Sequence, residues 1–162
     1  MVDDGDWIEM FKIQQLIYRY FDSVNRGDLE TMRTLFADDA VWEEPLFDLR
    51  QDSADGFVEF FRHATAKAEL LIITPHCPAI TLLSSNSAQA TTTLHEFTRG
   101  TPPEDGSFGP EGAEVNFQHI GIYTTTLRSS MDRGSSPTAS SSRSTLNPEP
   151  SGEKSWRNEQ AC

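Results

Sequence analysis

The sequence predicts an α+β fold in which helices come first and mostly antiparallel strands follow. Three observations predict it. Apolar residues recur with helical spacing early in the chain, the periodicity turns strand-like from about residue 77, and the strands follow one another across turn signals instead of alternating with long helices.

The first helix is placed at 7–25. Ile13, Leu16, Ile17, Tyr20, Phe21 and Val24 form one apolar stripe, Asp6 is a suitable N-cap, and Gly27 stands where a left-handed C-cap belongs. Asp28 can cap a short second helix over 29–36, with Leu29, Met32, Leu35 and Phe36 on one side. Asp38-Asp39 reads as a turn, and Ala40–Glu43 as a short strand ended by Pro45. Phe57, Phe60, Phe61 and Ala64 mark a third helix from about Ser53 to Lys67. Residues 77–84 and the Thr-rich run 88–99 read as a hairpin turning at Ser85-Asn86-Ser87. Gly and Pro make 100–113 a loop, and 114–123 alternates Val115, Phe117, His119, Gly121 and Tyr123 on one face.

Residues 1–123 read as one domain, and 124–162 as a disordered tail. The tail has 10 Ser and 5 Thr and few large apolar residues, too little to offset the entropy of ordering. It carries 5 basic and 4 acidic residues, a net +1, so the domain carries −13 of the chain's net −12. That charge argues against a nucleic-acid or acidic-membrane partner, because phosphate binding draws on clustered Lys and Arg. No apolar stretch is long enough to span a bilayer and MVDDGD lacks a secretory pattern, so a cytoplasmic address is expected. Two cysteines, Cys77 and Cys162, give no disulfide framework.

The four histidines are the natural general-base candidates. His76, between Pro75 and Cys77 at the entry to a strand, stands where a side chain can reach the mouth of a sheet cavity. His119 shares the inward face of Phe117 and Tyr123, either as a ligand-facing group or as a hydrogen-bonded core residue. His95 and His63 read as structural or solvated. Histidine spacings fit no metal site, no nucleophile motif appears, and no phosphate-binding loop or cofactor is called for. The paired carboxylates, Glu43-Glu44 among them, read as solvated turns and rims. Asn25 falls at the border of the first helix's buried stripe, where an amide can hydrogen-bond a substrate or orient an imidazole.

Residues 13–45, IQQLIYRYFDSVNRGDLETMRTLFADDAVWEEP, resemble the N-terminal signature of the SnoaL-like branch of the nuclear transport factor 2-like superfamily. A helix ends in an N-x-G-D turn and leads through a short helix to F-x-D-D-A-V-W. PHCPAITLL and the strand ending HIGIY are compatible with it, so the resemblance covers residues 7–123. It implies a curved antiparallel sheet wrapped against three helices, a cone with an apolar pocket at its open end, and a homodimer. Similar proteins include polyketide cyclases, dehydratases, ketosteroid isomerases, dehydrochlorinases and proteins with no catalytic role. In the dehydratase and dehydrochlorinase members a strand-start histidine acts as base and an aspartate at the end of the first helix orients it. His76 matches that histidine and Asn25 the aspartate, so the charge that would stabilise an imidazolium is absent here.

The resemblance thus implies a cofactor-independent lyase or isomerase for a small apolar or aromatic molecule. His76 is its base, Asn25 the orienting group, and Tyr20, Trp42 and His119 line the pocket. The alternative is a ligand- or partner-binding module without chemistry. Family members continue past the GIY strand into a last long strand, whereas this chain runs TTTLRSSMDRGSSPTASSSRSTL. The last strand is therefore expected to be missing or abnormal. The abrupt change also predicts a slipped reading frame near Tyr123, which the coding DNA across codons 115–162 would test.

Overall fold

The computed structural model describes residues 4–102, 104, 114–128 and 138–145. Helix α1 spans Asp4–Arg26, α2 Leu29–Thr34 and α3 Ala54–Ala64. The strands are β1 (Phe36–Glu44), β2 (Leu49–Gln51), β3 (Ala68–Pro75), β4 (Ala79–Ser84), β5 (Ser87–Gly100), β6 (Val115–Arg128) and β7 (Thr138–Thr145). They form one sheet in the order β2-β1-β7-β6-β5-β3, with β4 also paired to β5. All pairings are antiparallel except β1 with β7.

Helix α1 buries the stripe its spacing announces: Ile13, Leu16, Ile17, Phe21 and Val24 all lie in the core. It stops at Gly27, whose φ is +64°. There Asp28 N–H reaches the Ser23 carbonyl at 2.8 Å and Gly27 N–H the Val24 carbonyl at 3.0 Å, the paired bonds of a Schellman cap. Asp28 then caps α2 by accepting from Thr31 N–H at 3.0 Å. Arg33 ties α2 to its neighbours through Asp38 and Asp55, both at 2.5 Å. Ser53 caps α3 by accepting from Gly56 N–H at 3.1 Å. This helix ends at Ala64, three residues before the expected Lys67, because Thr65 closes it with its N–H and hydroxyl both on the Phe61 carbonyl.

Strand β3 occupies a stretch to which the sequence pattern assigned no element. It pairs with Leu94–Gly100 while β4 pairs with Ser87–Thr91, so the two run along β5 as one interrupted strand. The interruption is His76–Pro78, held by His76 N–H on the Thr93 carbonyl at 2.8 Å. The expected hairpin is present, with Ser84 paired to Ser87. Gly100 ends β5 at φ +156°, where a Cβ would stand 2.3 Å from the Lys67 carbonyl oxygen, so only glycine fits this close crossing. The expected 100–113 loop falls mostly outside the described residues.

Two expectations about the tail need correction. Strand β6 runs on from Tyr123 to Arg128, burying Leu127, and Thr138–Thr145 forms β7. A polar strand therefore stands where a missing or abnormal one was expected. It runs antiparallel to β6 and parallel to β1 in the middle of the sheet. Composition misled because a ladder is made of backbone groups, which a Ser-rich segment supplies as well as an apolar one between the edges of β1 and β6. The remaining tail lies outside the described residues.

Candidate functional site

The inner face of the sheet does not close completely onto the helices. A cavity of about 410 Å³ remains between α3, α1 and strands β1, β3, β5 and β6. Its size lies within the range usual for small-molecule sites. Aromatic rings build most of its wall. Trp42 stacks on Phe57 at 5.0 Å between ring centroids and tilts against Phe60 at 5.3 Å, and Phe61, Phe117 and Tyr123 continue the lining. These rings converge because the 57/60/61 helical spacing and the 117/119/123 strand alternation both face the concavity. Half-exposed Phe47 stands at the cavity from the short 3-10 turn Pro45–Phe47.

Into this apolar space the sheet projects a few polar groups. His119 on β6 is 4% exposed. Its Nδ1 lies 3.6 Å from Oε2 of Glu96 on β5, the residue directly across the ladder. Glu96 is 20% exposed, and its other oxygen accepts from the Thr98 hydroxyl at 2.9 Å. The second ring nitrogen of His119, Nε2, is buried with no hydrogen-bond partner among the described residues, and so is the Trp42 indole N–H. Buried groups of this kind are normally satisfied, so both are candidates to meet a ligand or ordered water. Burial, reinforced by the negative charge of Glu96, pushes the Tyr20 hydroxyl well above the usual phenol range and keeps it a proton donor.

Of the residues singled out from sequence, Tyr20, Trp42 and His119 line the cavity. His76 does not. It is exposed, absent from the cavity lining, and packs edge-on against His95 with 5.3 Å between ring centroids. The reason is the alternation of β3, which turns Leu71 and Ile73 inward and leaves the strand at Pro75.

Asn25 holds no imidazole either. Its amide donates to the Ile73 carbonyl at 2.8 Å and its oxygen accepts from Ile73 N–H at 2.7 Å, so it clasps the backbone of β3. The side chain of the clasped residue, Ile73, is apolar, buried and turned into the cavity. The expected His76–Asn25 pair is thus not assembled.

Glu44 and Glu96 went unrecognised. Glu44, read as part of a solvated rim, is 4% exposed and lines the cavity, because Ala40, Trp42 and Glu44 alternate onto the inner face of β1. Glu96 could have been found the same way, since placing His95 and Phe97 outward turns it inward. Among the described residues no group of three or more His, Cys, Asp or Glu side chains could hold a metal ion. No helix there is long and apolar enough to cross a membrane.

Comparison with known proteins adds the fold's relatives. A hexachlorocyclohexane dehydrochlorinase, LinA-type3, from Novosphingobium barchaimii is 12% identical, with a TM-score of 0.67 over 94% of this chain and 97% of that one. A nuclear transport factor 2-like superfamily protein from Salmonella enterica is 15% identical, with a TM-score of 0.67 over 89% and 94%. A ketosteroid isomerase-like protein from Erwinia carotovora atroseptica is 15% identical, with a TM-score of 0.64 over 84% and 94%. No curated protein matches the chain. The model of the SnoaL-like domain matches residues 9–133, and with its helices, curved sheet and cavity the chain belongs to that family, within the nuclear transport factor 2-like fold.

Proposed function

We propose that the chain is a cofactor-independent lyase or isomerase that removes a proton from an activated carbon of a small apolar or aromatic molecule, with His119 in the role first expected of His76. One observation carries this reading: a buried imidazole on the cavity wall has a carboxylate at Nδ1 and, among the described residues, no hydrogen-bond partner at Nε2. In the proposed step Nε2 takes the proton as the C–H bond breaks. The imidazolium that forms faces Glu96, and Tyr20 donates to the oxygen on which charge collects. An isomerase returns the proton at a second carbon, whereas a lyase expels a leaving group from the neighbouring one. The dehydrochlorinase and isomerase-like neighbours are compatible with either outcome, and their fold alone does not choose.

A general base contributes roughly 10²–10⁴-fold, and that range sets the test. Hydrogen exchange at the carbons beside the carbonyl of 2-tetralone is followed by NMR in heavy water. His119→Gln is expected to lower protein-catalysed exchange by about 100-fold or more, and His76→Ala to leave it unchanged. Full exchange in His119→Gln, with the fold intact by circular dichroism, overturns the assignment.

A second reading, a binding module without chemistry, is favoured by Asn25 bonding the Ile73 backbone through both its amide nitrogen and its oxygen and holding no imidazole. It predicts that 2-tetralone binds without accelerated exchange. A homodimer and a cytoplasmic address remain proposals, the former open to sedimentation.

A further inference from the structure

The cavity has a one-sided charge pattern. Its described lining contains two carboxylates, Glu44 and Glu96, and neither Lys nor Arg. Glu96 is 20% exposed, so it acts from a poorly hydrated position where bulk salt screens it weakly. Around them the wall is aromatic, offering ring faces that attract cations and tolerate neutral rings but repel negative charge. The neutral donors on this wall are the Tyr20 hydroxyl and the Trp42 indole N–H, since the Thr98 hydroxyl already donates to Glu96 at 2.9 Å. Nothing in this set offers the fork of an Arg or a helix N-terminus on which a carboxylate or phosphate is usually held.

From this arrangement we infer that the cavity takes an uncharged or cationic ring-bearing molecule and rejects carboxylates, phosphates and other anions, with Glu96 as the residue that sets the preference. The inference rests on the reading of this cavity as the ligand site, yet it does not need proton transfer to occur there. It names a substrate class that excludes acyl phosphates, nucleotide-linked thioesters and aromatic acids, and keeps neutral ketones, alcohols and aromatic amines. The position of Glu96 explains why one residue dominates. It lies directly across the ladder from His119, so a ligand reaching Nε2 must share the cavity with its carboxylate. The net charge of −12 discourages anions on approach as well, but that effect acts through solvent and fades with salt.

Three naphthalenes of matched size separate these causes: 2-naphthalenemethanol, 2-naphthylmethylamine and 2-naphthoate. Titrated into the full chain at neutral pH, the alcohol and the amine are expected to bind, and the acid to bind at least tenfold more weakly. The gap is expected to persist in about 0.5 M NaCl, where the Debye length falls to a few ångströms. Glu96→Gln, checked for fold by circular dichroism, is expected to narrow it. Naphthoate binding as tightly as the alcohol overturns the inference, as does a gap that vanishes in salt, a gap unchanged in Glu96→Gln, or no binding by any of the three. Failure of the catalytic reading looks different: 2-tetralone exchange is absent while the charge order of the three probes stands.

Discussion

Replacing Asn25 by aspartate exchanges an amide for the carboxylate of the family pattern and separates two accounts of this position. If Asn25 were half of a disabled catalytic pair, the carboxylate would restore function at little structural cost. The structure predicts the opposite. The amide both donates to and accepts from the Ile73 backbone, at 2.8 and 2.7 Å. A carboxylate keeps the acceptor and turns its second oxygen toward the Ile73 carbonyl, so a hydrogen bond is replaced by a repulsive contact at a half-buried site. Losing a partner in this way costs about 1–3 kcal/mol. In a domain of this size that lowers Tm by roughly 2–4 °C per kcal/mol. The loss should also depend on pH. A protonated carboxyl can donate to the carbonyl, so Asn25→Asp is expected to be destabilised at pH 7 and to recover toward wild type as the pH falls through the titration of the new acid. The sign follows from linkage: a carboxyl held neutral by its neighbours loses folded-state stability as pH rises. Urea unfolding at pH 7 and pH 4.5 reads both effects. Wild-type stability at pH 7, or a deficit identical at both values, refutes the clasp.

Other perturbations reach the rest of the fold. Trp42→Ala removes a ring stacked on Phe57 and Phe60 and is expected to cost about 3–5 kcal/mol in urea unfolding. Gly100→Ala places a methyl 2.3 Å from the Lys67 carbonyl and should cost more than about 1 kcal/mol, with ligand binding weakened because Gly100 lines the cavity. Backbone and side-chain hydrogen bonds from Thr31 hold the Asp28 carboxyl below its usual value. Its contribution is therefore present above the unfolded pKa and lost as pH falls through the folded one. Asp28→Ser, which caps without titrating, should accordingly show a shallower acid-side loss of stability than wild type in thermal melts. Deleting everything after Arg128 leaves the β7-facing edges of β1 and β6 unpaired and is expected to yield aggregate instead of a cooperative fold, as size-exclusion chromatography would show.

Much of this architecture was legible because the signals are local. The α1 stripe, the Gly27 stop, the Asp28 cap, the start of α3 near Ser53 and the hairpin at Ser85-Asn86 follow from spacing and turn chemistry close in sequence. Strand β3 was not, since its apolar run, Leu70–Ile73, is short, lacks alternation and follows a helix without a Gly or Pro stop. Strand β7 escaped for the complementary reason: its sequence looks unstructured alone, and only the edges of β1 and β6 give it a place. At the site, alternation put His119 inside and could equally have put Glu44 and Glu96 there. His76 was misplaced because its orientation depends on where β3 breaks and how β4 resumes along β5, a pairing set by residues nearly twenty positions away. Asn25 was placed correctly at the edge of the buried stripe. Its partner, a backbone segment 48 residues on, has no local signature.

The claim on which the functional reading depends is that a ligand in the cavity meets the His119 imidazole. Long-range proton–nitrogen NMR of the ¹⁵N-labelled protein, with the ring signals assigned from His119→Gln and His76→Ala, measures this while 2-naphthalenemethanol is added. The expected result is a saturable shift of His119 Nε2 with the His76 nitrogens unmoved. Shifts at His76 with His119 silent would place the ligand on the outer face of the sheet and contradict the site described above.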